Sequence, residues 1–313
     1  MTHKLGNHTY FEAFRILAFS NTPVDPILLF IILCLIYWTA VLGNLILIIL
    51  VSANSRLHTP MYILLSNLSC LDIGFTTVTI PKLMDILLTG YNSISYRNCF
   101  IQVYFFIFFA TTEALILSCM AYDRYVAICH PLQYLIIISG RKYALIVGGP
   151  WIMGCVNSLF IILLASNLSF CGAHNIDAYF CNVKALSKIS CNSSGFQTFI
   201  YIDAFLLGLL QLMLILISYI KIILVTLRLR SSGARMKFFS TCSSHLAALI
   251  IFYGTALCMY LRPPSENRDD LDKVFSVVYS AITPMLNPLV YSLRNNEVTN
   301  AWESILKNIK KLK

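Results

Sequence analysis

The chain has 313 residues, of which 58% are hydrophobic and only 12% charged, with a mean hydropathy of +0.74. Soluble globular domains carry about a quarter charged residues, so this composition excludes that class and fits one membrane bundle with no further soluble domain. The net charge of +9 invites a nucleic-acid partner, but the placement of the basic residues, given below, argues against one.

The first 26 residues are mixed in character, with Lys4, Glu12, Arg15 and Asp25, and hold no uninterrupted apolar stretch. A cleavable signal needs such a stretch, so the first membrane span is expected to act as its own insertion signal. Asn7-His8-Thr9 is a glycosylation sequon in this segment, with Asn7 as the expected acceptor.

Crossing the hydrocarbon core as helix takes about 20 apolar residues. Seven stretches qualify: residues 27–51, 60–80, 100–122, 143–165, 196–227, 238–261 and 274–293. The second and seventh are the most polar. Continuous apolar runs point to helices, because barrel strands alternate over about ten residues. The predicted fold is an all-α membrane protein, one seven-transmembrane helix bundle over residues 1–313. In the tail, 294–313, Trp302, Ile305, Leu306, Ile309 and Leu312 recur at helical spacing among Lys307, Lys310, Lys311 and Lys313. That pattern predicts a short amphipathic helix on the inner leaflet, with a frayed basic tail as the plainer alternative.

Lysine and arginine placement orients the bundle. With the N-terminus outside, 14 of the 23 basic residues fall at the inner loops, inner helix ends and tail, among them Arg56, Arg124, Arg141, Lys142, Lys221 and Arg228. Only Asp123, Glu297 and Glu303 oppose them there, whereas the outer side is nearly balanced. The positive-inside rule then predicts an extracellular N-terminus, a cytoplasmic C-terminus and a multi-pass plasma-membrane protein in a lipid bilayer.

Of the 11 cysteines, seven lie in spans or at their inner ends, where a thiol acts as a small apolar group. Cys99, Cys171, Cys181 and Cys191 lie on the outer side, an even number facing an oxidising lumen, which suggests two disulfides. Four cysteines allow three pairings, and spacing does not choose among them. Zinc is the rival reading, but no CxxC pair or histidine cluster accompanies them. Among the other sequons, Asn192 lies in the outer loop, Asn167 at the bilayer edge, and Asn67 inside the second span, where it is a chance match.

The third span ends in Asp123-Arg124-Tyr125. An acid and a base at the inner face are costly unless they neutralise one another or meet a partner; the bland reading is an arginine that snorkels to the headgroups. The other helix ends weigh against the bland reading. The first inner loop reads Leu57-His58-Thr59-Pro60-Met61-Tyr62, and the sixth span begins Lys237-Phe238-Phe239-Ser240-Thr241-Cys242-Ser243-Ser244-His245. The seventh ends Pro284-Met285-Leu286-Asn287-Pro288-Leu289-Val290-Tyr291-Ser292-Leu293-Arg294-Asn295. Together with Gly43-Asn44 these segments resemble the motif set of vertebrate odorant receptors, a branch of the rhodopsin-like G-protein-coupled receptors, over nearly the whole chain. The Leu57–Tyr62 form is similar to that of the larger, tetrapod-type class. Phe238, where the family often has alanine, and Asn182, where an acid commonly follows the cysteine, are small departures.

The resemblance implies a receptor, not an enzyme, with no cofactor. It would bind a small, mostly apolar, volatile or semi-volatile ligand in the outer half of the bundle and activate a heterotrimeric G protein of the olfactory stimulatory type. Asp123 would hold Arg124 at rest, and activation would swing Arg124, beside Tyr125, toward the G protein. Tyr219, His245 and Tyr291 would be its partners, with Asn287 and Pro288 in the same switch; Pro288 removes a backbone hydrogen bond and allows a local distortion. The resemblance also implies the pairings Cys99–Cys181 and Cys171–Cys191. Asn44, Asp72, Glu113 and Asn287 are expected to form a polar core, which can hold either a sodium ion or a shared proton.

By the same resemblance the ligand site lies between the third, fifth, sixth and seventh helices. Phe106, Ile107, Ala110 and Thr111 face inward at helical spacing. Asp203, Leu207, Tyr253, Leu257, Tyr260, Val277 and Ser280 complete the candidate set, for much of which ordinary packing is the alternative. Asp203 stands apart as a carboxylate inside the fifth span with no basic residue near it on that helix. It needs a ligand donor, even an amine, or else a proton and a bond to Tyr201, Tyr253 or Tyr260. A transporter would show repeats in two halves, which seven spans do not give, and a membrane enzyme would show a nucleophile or metal motif, of which none occurs. A non-olfactory receptor of the same fold, for an endogenous small molecule, stays open.

Overall fold

The computed structural model describes residues 13–19, 25–171, 174–228, 232–260, 268–294 and 297–302. Asp25 opens α1 (Pro26–Ala53) by accepting a hydrogen bond from the Ile27 N–H at 2.8 Å. Pro26 then occupies the first turn, where its missing N–H costs nothing. α2 (Pro60–Thr89) starts on a proline as well and stops at Gly90, whose φ of 72° suits glycine. It runs through Pro81, past the expected end at Ile80, because the Lys82–Asp85 ion pair at 2.7 Å and Thr89 bonded to the Asp85 carbonyl support further turns. Ser95 caps α3 (Tyr96–Cys129) through the Asn98 N–H.

α4 (Gly140–Ala165), α5 (Ser194–Leu227) and α6 (Ser232–Tyr260) follow. α7 comprises Arg268–Val277, a π-helical turn at Val278–Ile282, and Thr283–Arg294. A second π-helical turn interrupts α5 at Phe205–Leu209. Five of these helices and the Lys273–Tyr291 part of α7 are long and apolar enough to cross a membrane, and α6 contributes the apolar stretch Cys242–Cys258. The result is a seven-helix bundle. Of the tail, residues 297–302 are helical, and residues 303–313, where the rest of the amphipathic helix is expected, lie outside the described residues.

α3 is the central element, packed on α2, α4, α5 and α6, while α1 closes the ring against α2 and α7. Close approach depends on small residues: a Cβ added at Gly154 of α4 would collide with Thr112 of α3, and one at Gly74 of α2 with the Phe109 ring. Side-chain amides join neighbouring helices where water is absent. Trp151 Nε1 donates to Asn67 Oδ1 at 2.9 Å, and Asn44 Nδ2 donates to the Pro284 carbonyl at 3.0 Å. Asn67 is thus a packing residue between α2 and α4.

A small sheet, not anticipated from the sequence, covers one end of the bundle. β1 (Ala13–Ile16) pairs antiparallel with β2 (Ser93–Ser95) and parallel with β3 (Asn175–Ile176). Phe14 and Ile16 alternate inward and are buried. Phe14 packs on Tyr96 and Phe170, with ring centroids 5.8 and 5.3 Å away, burial that secures a strand too short to be stable alone.

Candidate functional site

At the sheet-covered end, Cys99 at the start of α3 is bonded to Cys181, and Cys171 to Cys191, with Cα separations of 5.4 and 5.8 Å. Gln102 secures the same junction. Its Nε2 donates to the Val78 carbonyl at 2.8 Å and its Oε1 accepts from the Cys181 N–H at 2.9 Å. Tyr179 is buried and its hydroxyl donates to the Ser276 carbonyl at 2.8 Å and bonds the Ser280 hydroxyl. Burial holds its pKa above the usual phenol value, with Ser280 opposing weakly. Lys273 of α7 reaches Asp177 at 2.7 Å. The loop before α5 is therefore bolted to both α3 and α7. Asn7 lies outside the described residues, and Asn192 spends its amide in this loop, accepting from the Ser169 N–H at 2.9 Å.

Beneath the loop lies a cavity of about 490 Å³. Phe106, Ile107, Ala110 and Thr111 of α3, Asp203 and Leu207 of α5, and Tyr253 and Leu257 of α6 all line it. Phe106 packs against Phe180 at 4.7 Å, joining the wall to the loop above. The side chain of Tyr260 lies outside the described residues. Val277 and Ser280 do not line the cavity; Val277 packs on the core and Ser280 is occupied by Tyr179. The π turn at Val278–Ile282 changes the register of α7 and puts Tyr279 in the wall instead. Besides the tyrosines Tyr201, Tyr253 and Tyr279, the wall is apolar except at one corner. There Asn157 of α4 donates to Thr111 Oγ1 at 3.2 Å and also engages the Asp203 carboxylate. Asp203 has no Lys or Arg ion-pair partner among the described residues. Asn157 was not among the expected residues; its signal is a lone amide in an apolar span.

Below the cavity, Asp72 is fully buried and accepts two bonds from Asn287 Nδ2, at 3.1 and 3.0 Å. Glu113 lies close enough for the two carboxylates to interact, and Glu113 Oε1 has no hydrogen-bond partner among the described residues. Asn44 joins from the side through the α7 backbone three residues before Asn287.

At the opposite end of α3, Asp123 is buried, but its close partner is Tyr134 rather than Arg124. The Tyr134 hydroxyl donates to Asp123 Oδ1 at 2.7 Å, while Arg124 Nε stands 3.9 Å from Oδ2. Burial, then the bond to Asp123, raises the Tyr134 pKa and keeps it a donor. Tyr219 and His245 bond each other at 2.5 Å across α5 and α6. Both, and Tyr291 of α7, lie within the electrostatic reach of Arg124. Tyr125 stays out of this group, meeting His130 at 3.3 Å and lying under Lys221. Pro288 sits in regular helix packed near Gly43, and the distortion expected there is found instead at Val278–Ile282. Thr283, which donates to the Val278 carbonyl at 3.3 Å, supports that turn.

Seven helices, an apolar cavity under a disulfide-tied loop, and a buried acid–arginine pair at the far end of the central helix define a rhodopsin-like G-protein-coupled receptor. A profile of the olfactory receptor family matches residues 33–309. The chain is 43% identical over 302 residues to Olfactory receptor 1M1 of Mus musculus, covering 96% of each chain. It is 40% identical over 301 residues to Olfactory receptor 1J1 of Homo sapiens, covering 96% of this chain and 94% of that one. The chain belongs to the olfactory receptor family, multi-pass plasma-membrane receptors for small odorants that signal through a G protein.

Proposed function

We propose that the 490 Å³ cavity is the odorant site, that Asp203 anchors a ligand donor there, and that the Arg124 end activates a G protein of the olfactory stimulatory type. The observation that carries this reading is a mostly apolar chamber in which Asp203 is the one charged lining residue, the form of a pocket that binds by burial and orients by one anchor. The placement of the basic residues supports an extracellular N-terminus and a cytoplasmic Arg124.

Coupling is a two-state event. Tyr134 holds Asp123, and Arg124 sits loosely beside Tyr219, His245 and Tyr291, so little has to break for Arg124 to move outward. Leu132, Leu135 and Ile136, in the loop that carries Tyr134, are 96%, 84% and 74% exposed. That apolar surface beside Arg124 suits a protein partner. Two adjacent buried carboxylates, Asp72 and Glu113, have to shed charge, by a shared proton or a bound sodium ion, and they lie on the path between the two ends. Ala110→Trp fills the cavity. It is expected to silence cyclic AMP responses to every agonist found in an odorant panel while surface expression holds, and an undiminished response would overturn the assignment of the site.

A further inference from the structure

The cavity is covered on one side and open on another. Over it, among the described residues, the buried run Tyr179 to Cys181 is fixed to α3 by the disulfide and to α7 by the Tyr179 and Asp177 contacts. The side wall differs. Tyr201, Phe205 and Leu209 of α5 line the cavity, yet they are 71%, 58% and 40% exposed. These residues face the cavity and the outside at once, so the wall is thinnest along this edge, and α5 packs far less on α6 than on α3 among the described residues.

The three residues are spaced by four and share one edge of α5. Asp203 is two residues from Tyr201 and Phe205, about 200° around the helix, and meets Asn157 of α4. The exposed edge therefore turns toward α6, whose Ala256 and Leu257 line the same space. The π turn Phe205–Leu209 sits in the middle of the edge. Gly208 within it also lines the cavity, and a Cβ added there would meet nothing within 4 Å. Apart from the Tyr201 hydroxyl the rim is apolar and carries no charge, and on a membrane-spanning helix the medium outside is lipid.

We infer that ligands enter and leave the cavity through the bilayer, by the gap between α5 and α6, and that the receptor samples uncharged molecules already dissolved in the membrane. The inference rests on the cavity being the ligand site. The ligand concentration that matters is then the one in lipid, which rises about fourfold for each added CH₂.

The route is open to a test that needs no agonist. The receptor carrying Ala110→Cys is placed in phosphatidylcholine nanodiscs, which leave both ends in water. The peptide bearing the introduced thiol is followed by mass spectrometry during reaction with bilayer-soluble N-phenylmaleimide or with a charged, water-borne trimethylammonium methanethiosulfonate. Each rate is normalised to that reagent's reaction with free cysteine. The apolar reagent is expected to react at least tenfold faster; Leu209→Trp slows it about tenfold, and Phe205→Ala, which widens the gap, speeds it severalfold. Asp177→Asn, which loosens the loop, leaves it within twofold. Equal rates for the two reagents, or acceleration by Asp177→Asn with none from Phe205→Ala, would overturn the lateral route while leaving the ligand site intact. An agonist response indifferent to Ala110→Trp would instead remove the ligand-site reading, and the inferred ligand route with it.

Discussion

Asp203→Asn separates an anchoring role from a packing role. The substitution keeps shape and hydrogen-bonding capacity but removes the charge that Asn157 alone engages among the described residues. A hydrogen bond to a charged acceptor is worth about 1.5–3 kcal/mol and a neutral one about 1. In this apolar corner an ammonium or strong-donor ligand therefore loses on the order of 1.4 kcal/mol, which is tenfold in affinity. A ketone or hydrocarbon filling the same space makes no use of the charge and changes by less than twofold. The assay is a pair of cyclic AMP dose–response curves, one amine agonist and one neutral agonist, each normalised to surface expression. Equal displacement of both curves, or a fall in expression with selectivity unchanged, would refute the anchor.

Arg124→Ala is expected to leave the receptor at the cell surface, because the ion pair of its side chain with Asp123 is long, at 3.9 Å, and to silence the cyclic AMP response; an undiminished response at matched expression contradicts its switch role. Cys99→Ser opens a bridge spanning 82 residues and costs about 2–5 kcal/mol, so antibody staining of intact cells should show the receptor lost from the surface. Gly154→Leu forces a side chain into Thr112 and the α3 backbone at Phe108. It should lower thermal stability in detergent by the roughly 1–3 kcal/mol typical of overpacking, whereas Gly148→Leu, at a site with open space, should not.

The helices are legible in the sequence because a run of about 20 apolar residues has few alternatives in a membrane. The cavity wall on α3 is legible for a related reason, since helical spacing from Cys99 fixes which residues face inward. What stays hidden depends on contacts between distant segments. The π turns at Phe205–Leu209 and Val278–Ile282 have no local sequence signature, so α7 presents Tyr279 where the family resemblance implies Val277 and Ser280. Asn157 becomes a site residue only when α4 is laid against Thr111 and Asp203. Tyr134, eleven residues beyond Asp123, reaches it only because the chain folds back after α3. β1 is too short to announce itself: Phe14 and Ile16 become a strand only between partners supplied much later in the chain.

That sheet imposes an order on biosynthesis. Its middle strand, Ala13–Ile16, is the first to be made, whereas Asn175–Ile176 is synthesised only after α1 to α4. Until then β1 has one neighbouring strand at most, and the covering over the bundle cannot close. A chain stopped before residue 175 would hold four helices with an unfinished cap, and nascent chains of increasing length should bury Ile16, the partner of Ile176, abruptly once that point has emerged from the ribosome.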